Sequence, residues 1–132
     1  MSSYPTSTAT VKEILCIEHH GELCLLLSKM LARREFRFSY AKETGEASKF
    51  LRMKQPALVL IEDNFFEDTG IRHIAQLKAA FPATKVIMLS AQDGKTKQSA
   101  KNAGVDVFLT KPFTKTDLLN SVIFLIDGSD KA

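Results

Sequence analysis

Three apolar runs in this chain lack the alternation of a half-wet strand: Ile14 to Ile17, Ala57 to Ile61 and Val86 to Leu89. Such short, unalternating runs suit strands covered on both faces, as in a parallel sheet with helices packed on each side. Each ends in polar residues: Glu18-His19-His20, Glu62-Asp63 and Ser90. Ligands of open α/β sheets gather outside the carboxyl ends of the strands. The three ends are therefore expected to converge on one pocket, with the stretch Pro56 to Asp63 at its centre.

The segments between the runs complete the pattern. Residues 12 to 18 read as the first strand. Gly21 to Ala32 follows as a helix, with Leu23, Cys24, Leu26, Leu27, Met30 and Leu31 on its apolar side. Glu35 to Ala41 alternates Phe36, Phe38 and Tyr40 with polar residues, the signature of an edge-type strand wet on one face. Gly45 to Met53 is a short helix with Ala47, Phe50 and Leu51 inward, stopped by Pro56. Residues 64 to 70 form a polar and aromatic loop, and Ile71 to Ala80 a helix with Ile71, Ile74 and Leu77 on one stripe. Lys85 to Leu89 is the fourth strand. Asp93 to Ala103 is a polar helix closed by Gly104 as a left-handed cap. Val105 to Leu109 is the fifth strand, 110 to 113 a turn, and Thr116 to Ile126 the last helix. Strand and helix thus alternate five times, and right-handed crossovers place helices on both faces of the sheet.

A chain of 132 residues, 45% hydrophobic and 25% charged, fits one domain with one core. Residues 1–11 read as a polar leader, 12–126 as the domain, and 127–132 as a tail or the start of a linker. No apolar run approaches the ~18 residues of a membrane span, and the first ten residues have no secretory pattern. The default location is the cytoplasm. Cys16 and Cys24 read as buried thiols of a reduced compartment rather than as a disulfide. The net charge of +3 is uneven: Lys29 to Lys54 holds eight basic residues against three acidic ones. A solvated helical face explains this run, with a nucleic-acid surface as the alternative. There is no Gly-x-Ser-x-Gly elbow, Gly-rich phosphate loop or Cys-x-x-Cys, which leaves an independent hydrolase or nucleotide enzyme without support.

With the strand ends in place, the chain resembles a receiver domain of the two-component response regulators. ILCIE at the first strand, PALVLIED with Gly70 eight residues after Glu62, VIMLSA at 86 to 91, and AGVDVFLTKPF at 103 to 113 carry the likeness. The resemblance implies a flavodoxin-like (βα)5 three-layer α/β sandwich around a parallel five-stranded sheet of order 2-1-3-4-5. It also implies phosphoryl transfer from a histidine kinase or small phosphodonor to a carboxylate after the third strand, with magnesium held by nearby acids. Carried over, the acidic pair falls on Glu18 and His19, and the phosphoacceptor on Glu62. The phosphate-binding hydroxyl falls on Ser90, the aromatic switch on Phe108, and the lysine on Lys111, before a Pro112 expected to follow a cis bond.

Two of these positions depart from the pattern. His19 stands where a carboxylate is expected, which should weaken magnesium, a hard ion that prefers oxygen in a tight octahedron; Glu18, His19 and Glu62 then make a degenerate metal site. Glu62 carries the acceptor carboxyl about 1.5 Å further out, and a misplacement of that order can cost roughly 100-fold in rate. Asp63 is the alternative acceptor, although the next side chain along a strand points the other way. A zinc or nickel site from His19, His20, Glu18 and Glu62 has no forced ligand spacing. Glu62 and Lys111 read equally as an active-like lock and as an inert ion pair.

The expected role is an atypical receiver acting as a protein interaction module, with Asp phosphorylation impaired or absent. It is not an enzyme beyond residual autophosphotransfer, and it needs no cofactor except magnesium where the site is retained. The alternatives are a phosphorylatable receiver using Asp63 or Glu62, and a nucleic-acid-associated protein. A histidine kinase, a downstream effector or a second copy would dock on the fourth helix, fifth strand and fifth helix, where Lys95, Lys97, Lys101, Phe108 and Lys115 fall.

Overall fold

A computed structural model describes residues 11–18, 21–62, 70–90 and 94–127. Its elements are β1 (Lys12–Ile17), α1 (Glu22–Met30), β2 (Phe36–Ala41), α2 (Thr44–Lys54), β3 (Leu58–Glu62), α3 (Gly70–Ala80), β4 (Lys85–Ser90), α4 (Gly94–Ala103), β5 (Val107–Thr110) and α5 (Lys115–Asp127). The expected leader through residue 10, the aromatic loop at 64–69, His19, His20, Asp63 and the tail from 128 lie outside the described residues.

The strands form one sheet in the order β2-β1-β3-β4-β5, every neighbouring pair parallel. This is the (βα)5 flavodoxin-like order. The unalternating runs have their physical explanation here, since successive side chains of a central strand enter opposite cores. Leu15 and Ile17, Val59 and Ile61, and Val86 and Met88 enter a cluster with Ala47 and Leu51 of α2, Ile74 of α3 and Ala100 of α4. Ile14 and Cys16, Leu58 and Leu60, and Ile87 and Leu89 enter the other, with Leu27 of α1 and Leu118 and Val122 of α5. Register aligns the strand tops: Ile17 is level with Ile61, Glu62 with Leu89, and Ser90 with Thr110. Among the described residues no helix is long and apolar enough to cross a membrane.

Several local expectations need correction. Leu26 is exposed rather than inward. The buried arc of α1 runs through Cys24, Leu27 and Leu31, and Leu26 stands about 100° away from Leu27 on the helical wheel. The fifth strand starts two residues late and runs to Thr110. Val105 belongs to the end of α4: Gly104 N–H donates to Lys101 O and Val105 N–H to Ala100 O, both at 3.0 Å. This is a Schellman closure around Gly104, whose φ of 109° fits the left-handed cap read from the sequence. Asp127 continues α5 instead of beginning a tail.

The cysteines require the largest correction. Both are buried, but they are joined as a disulfide, with Cα atoms 5.7 Å apart. Cys16 faces the layer that α1 covers, and Cys24 lies in the first turn of α1 directed at the same layer. Expectation from the general rarity of intracellular disulfides could not see that juxtaposition.

Candidate functional site

The carboxyl ends of β1, β3, β4 and β5 assemble four of the residues singled out above. Glu18 directly follows β1 and is buried, at 4% exposure, for a reason its backbone shows: its N–H donates to Ala41 O at 3.1 Å, extending the ladder with β2 one residue past Ile17. Its carboxylate Oε1 accepts the Gly21 N–H at 2.8 Å. A buried carboxylate needs such donors to offset lost hydration. Gly21 precedes α1 with φ 84°, a left-handed turn that brings this N–H back toward Glu18.

Glu62 is the last residue of β3, and Lys111 immediately follows β5. The Lys111 ammonium donates to Glu62 Oε2, forming an ion pair across two strand ends with β4 between them. The Glu62 and Lys111 side chains are 18% and 29% exposed, so the pair is screened less than a surface pair and more than a core one. Ser90 ends β4 and is fully buried; its carbonyl accepts the Lys111 N–H at 2.8 Å. That hydrogen bond seats Lys111 beside β4, and the Lys111–Pro112 peptide after it is cis, as the resemblance implied.

On the flank, Phe108 in β5 is half-buried against the cluster containing Ala100 and Val105. Lys97 and Lys101 on α4 and Lys115 at the start of α5 are exposed. Lys95 lies in the first turn of α4. The structure therefore brings Glu62 and Lys111 into contact, with Ser90 bonded to the same lysine's backbone, and places the lysines and Phe108 along one side. His73, on α3, is half-buried. Of the basic run between 29 and 54, Arg33 pairs with Glu35 at 2.8 Å and Arg37 with Glu13 at 3.0 Å.

Sequence reasoning missed Tyr40 and the cysteine pair beside this end of the sheet. A Cβ on Gly21 would stand 2.5 Å from the Tyr40 hydroxyl, so the ring closes over the turn that holds Glu18. The glycine after two histidines, just ahead of a helix, was the available signal. Nothing in the sequence pointed to Tyr40.

Comparison with known proteins agrees with this geometry. The response regulator receiver domain family matches residues 14–123. Protein PilG of Pseudomonas aeruginosa is 47% identical over 70 residues, a match spanning 51% of this chain and about half, 52%, of PilG. Chemotaxis protein CheY of Halobacterium salinarum is 27% identical over 114 residues, 84% of this chain and 93% of that protein. A response regulator from Thermotoga maritima superposes with a TM-score of 0.81 at 27% identity, covering 89% of this chain and 98% of the other. A CheY-like receiver domain protein from Methanospirillum hungatei has the same fold, with a TM-score of 0.81 at 20% identity over 92% and 98% of the two chains. This chain belongs to the response regulator receiver domain family of two-component signalling.

Proposed function

We propose that this chain is an atypical receiver that works as a protein interaction module, with phosphorylation at its acidic pocket impaired or absent. The observation that carries the proposal is the ion pair between Glu62 and Lys111. In a phosphorylated receiver the lysine meets a phosphoryl oxygen; here the carboxylate at the acceptor position already holds it. A carboxylate carries one charge where a phosphoryl group carries nearly two, so Glu62 acts as a weak, permanent counterpart of the phosphorylated state. The working unit on this reading runs from β1 through α5, which ends at Asp127. The partner is a protein of the pathway, a kinase or an effector, met by α4, β5 and α5 around Lys97, Lys101, Phe108 and Lys115.

The magnesium that receivers hold would sit among carboxylate oxygens in a tight octahedron. Glu18 accepts from Gly21 and Glu62 from Lys111. These donors do not fit the ion well, and the proposed role does not run through it.

The test is intact mass after incubation with magnesium and acetyl phosphate, beside an amide-shift titration with beryllofluoride. The expected result is no mass gain and no saturable shift at Glu18, Glu62, Ser90 or Lys111. A magnesium-dependent phosphoryl adduct that Asp63→Ala abolishes would replace this reading with a working acceptor at Asp63.

A further inference from the structure

We propose that Cys16 and Cys24 form a reversible dithiol–disulfide site, opened by a dithiol reductant that enters between α1 and β2. The two residues are bonded to each other and nearly closed off, at 2% and 6% exposure. Cys24 nonetheless lines a cleft of about 420 Å³ together with Gly21, Leu25, Ser28, Phe38 and Tyr40. Leu25 and Tyr40 are 59% and 43% exposed, so the mouth of this cleft faces solvent. Cys16 is not part of its wall; it packs on the strand side with Ile14, Leu58 and Leu60. The two sulfurs are thus unequal, one approachable and one sheltered.

That inequality assigns the roles in exchange. A reductant thiolate attacks the Cys24 sulfur, the Cys16–Cys24 bond breaks, and Cys16 leaves as a thiolate that takes up a proton. The second thiol of the reductant, losing its proton, attacks the mixed disulfide. Cys24 is released as a thiol, and the reductant departs as its own disulfide. Two electrons and two protons pass to the protein, and the reverse reaction consumes a disulfide of the same class. Where cells keep thiols reduced, protein disulfides that do form are typically transient and redox-sensing, which suits a pair with one accessible sulfur.

The bond also spans the turn of the candidate site. It joins residues eight apart, and between them lie Glu18 and Gly21. Among the contacts that hold this turn are the disulfide, the Gly21 N–H donated to Glu18, the Glu18 N–H donated to Ala41 O and the Tyr40 ring over Gly21. Reduction removes the covalent one, and the position of Glu18 is what it loosens. The bearing of this on signalling rests on the function proposed above; the redox site itself does not.

The experiment takes the full chain in native buffer, with or without dithiothreitol, quenches it into excess iodoacetamide in urea so that every thiol present is capped, and reads intact mass. The expected result is no adduct before reduction and two after reduction in native buffer. Leu25→Trp, which fills the cleft, should slow reduction several-fold under native conditions and leave it unchanged in urea. Two adducts without reductant, or reduction only in urea, would overturn the proposal. Amide shifts on reduction should reach Glu18, Gly21 and Tyr40; shifts confined to Cys16, Cys24 and the body of α1 would remove the coupling to the turn. None of these readouts depends on phosphoryl chemistry, so their failure would leave the reading of Glu62 standing.

Discussion

Asp106 and Lys78 meet at 3.0 Å between the α4–β5 connection and α3, and each also holds backbone of the neighbouring β4 segment. Asp106 Oδ2 accepts the Val86 N–H at 2.8 Å, while Lys78 Nζ donates to Thr84 O at 2.8 Å. Loss of Asp106 strands the N–H of Val86 and loss of Lys78 strands the carbonyl of Thr84, both buried residues, and an orphaned N–H is the less tolerated of the two. Asp106→Ala is expected to destabilise by about 2–3 kcal/mol, the cost of an unsatisfied buried donor plus a lost charged hydrogen bond. Lys78→Met, which keeps the stem that packs beside Gly104, should cost about 1 kcal/mol. Urea unfolding of the single and double variants checks both values; equal costs would mean that the amide is satisfied by another acceptor.

The Glu62–Lys111 pair predicts a more modest effect on stability. Glu62→Gln keeps the shape and leaves a half-buried ammonium without its counterion. Its cost should be about 1–2 kcal/mol, between the ~0–1 of an exposed pair and the ~3–5 of breaking a buried one. Lys111→Met should cost at least as much: it keeps the alkyl stem, but it leaves Glu62, the more buried of the two side chains, without its counterion. Thermal or urea unfolding decides this, and no loss in Glu62→Gln would mark the pair as incidental.

Gly21 is held by both its backbone and its neighbour. An alanine there must adopt a φ of 84°, and its Cβ would meet the Tyr40 hydroxyl at 2.5 Å and the ring carbon that bears it at 3.0 Å. The left-handed conformation alone costs an L-residue about 1–2 kcal/mol. Gly21→Ala should exceed that in the native background and fall back toward it when combined with Tyr40→Phe, which removes the nearest atom. A double-mutant cycle in urea measures the coupling. Strict additivity would show that Tyr40 swings aside freely.

The central strands are legible in the sequence because burial on both faces erases alternation, and Ile14 to Ile17, Ala57 to Ile61 and Val86 to Leu89 show that erasure directly. Glu62, Ser90 and Lys111 are legible by their place at strand ends, and their convergence follows from the parallel register. Helix edges are less so. Leu26 looks inward on an apolar count, yet α1 buries a narrow arc through Cys24 and Leu27, and only the packed sheet decides which arc. Val105 looks like strand by composition, and its amide is taken instead by the Schellman closure at Gly104. The disulfide and Tyr40 are tertiary facts: what brings Cys24 to Cys16 and Tyr40 to Gly21 is the docking of α1 on β1 and β2. No local spacing encodes that docking.

The flank of α4, β5 and α5 supplies the last prediction. Lys97, Lys101 and Lys115 are exposed, while Phe108 is half-buried beside Ala100 and Val105. If this flank is the docking surface, its charge acts mainly on association, since exposed charges steer encounter more than they stabilise the fold. Lys97→Glu with Lys101→Glu should leave unfolding within about 0.5 kcal/mol of the parent. The same pair should weaken binding to an acidic partner surface about tenfold or more at low salt, with the difference shrinking as salt rises. Phe108→Ala should cost about 1–3 kcal/mol of stability, because its ring packs on the core. Partner titration followed by amide shifts separates the two effects. A footprint on α1 and β2 with the lysine variants at full affinity would move the docking surface to the cysteine side of the molecule.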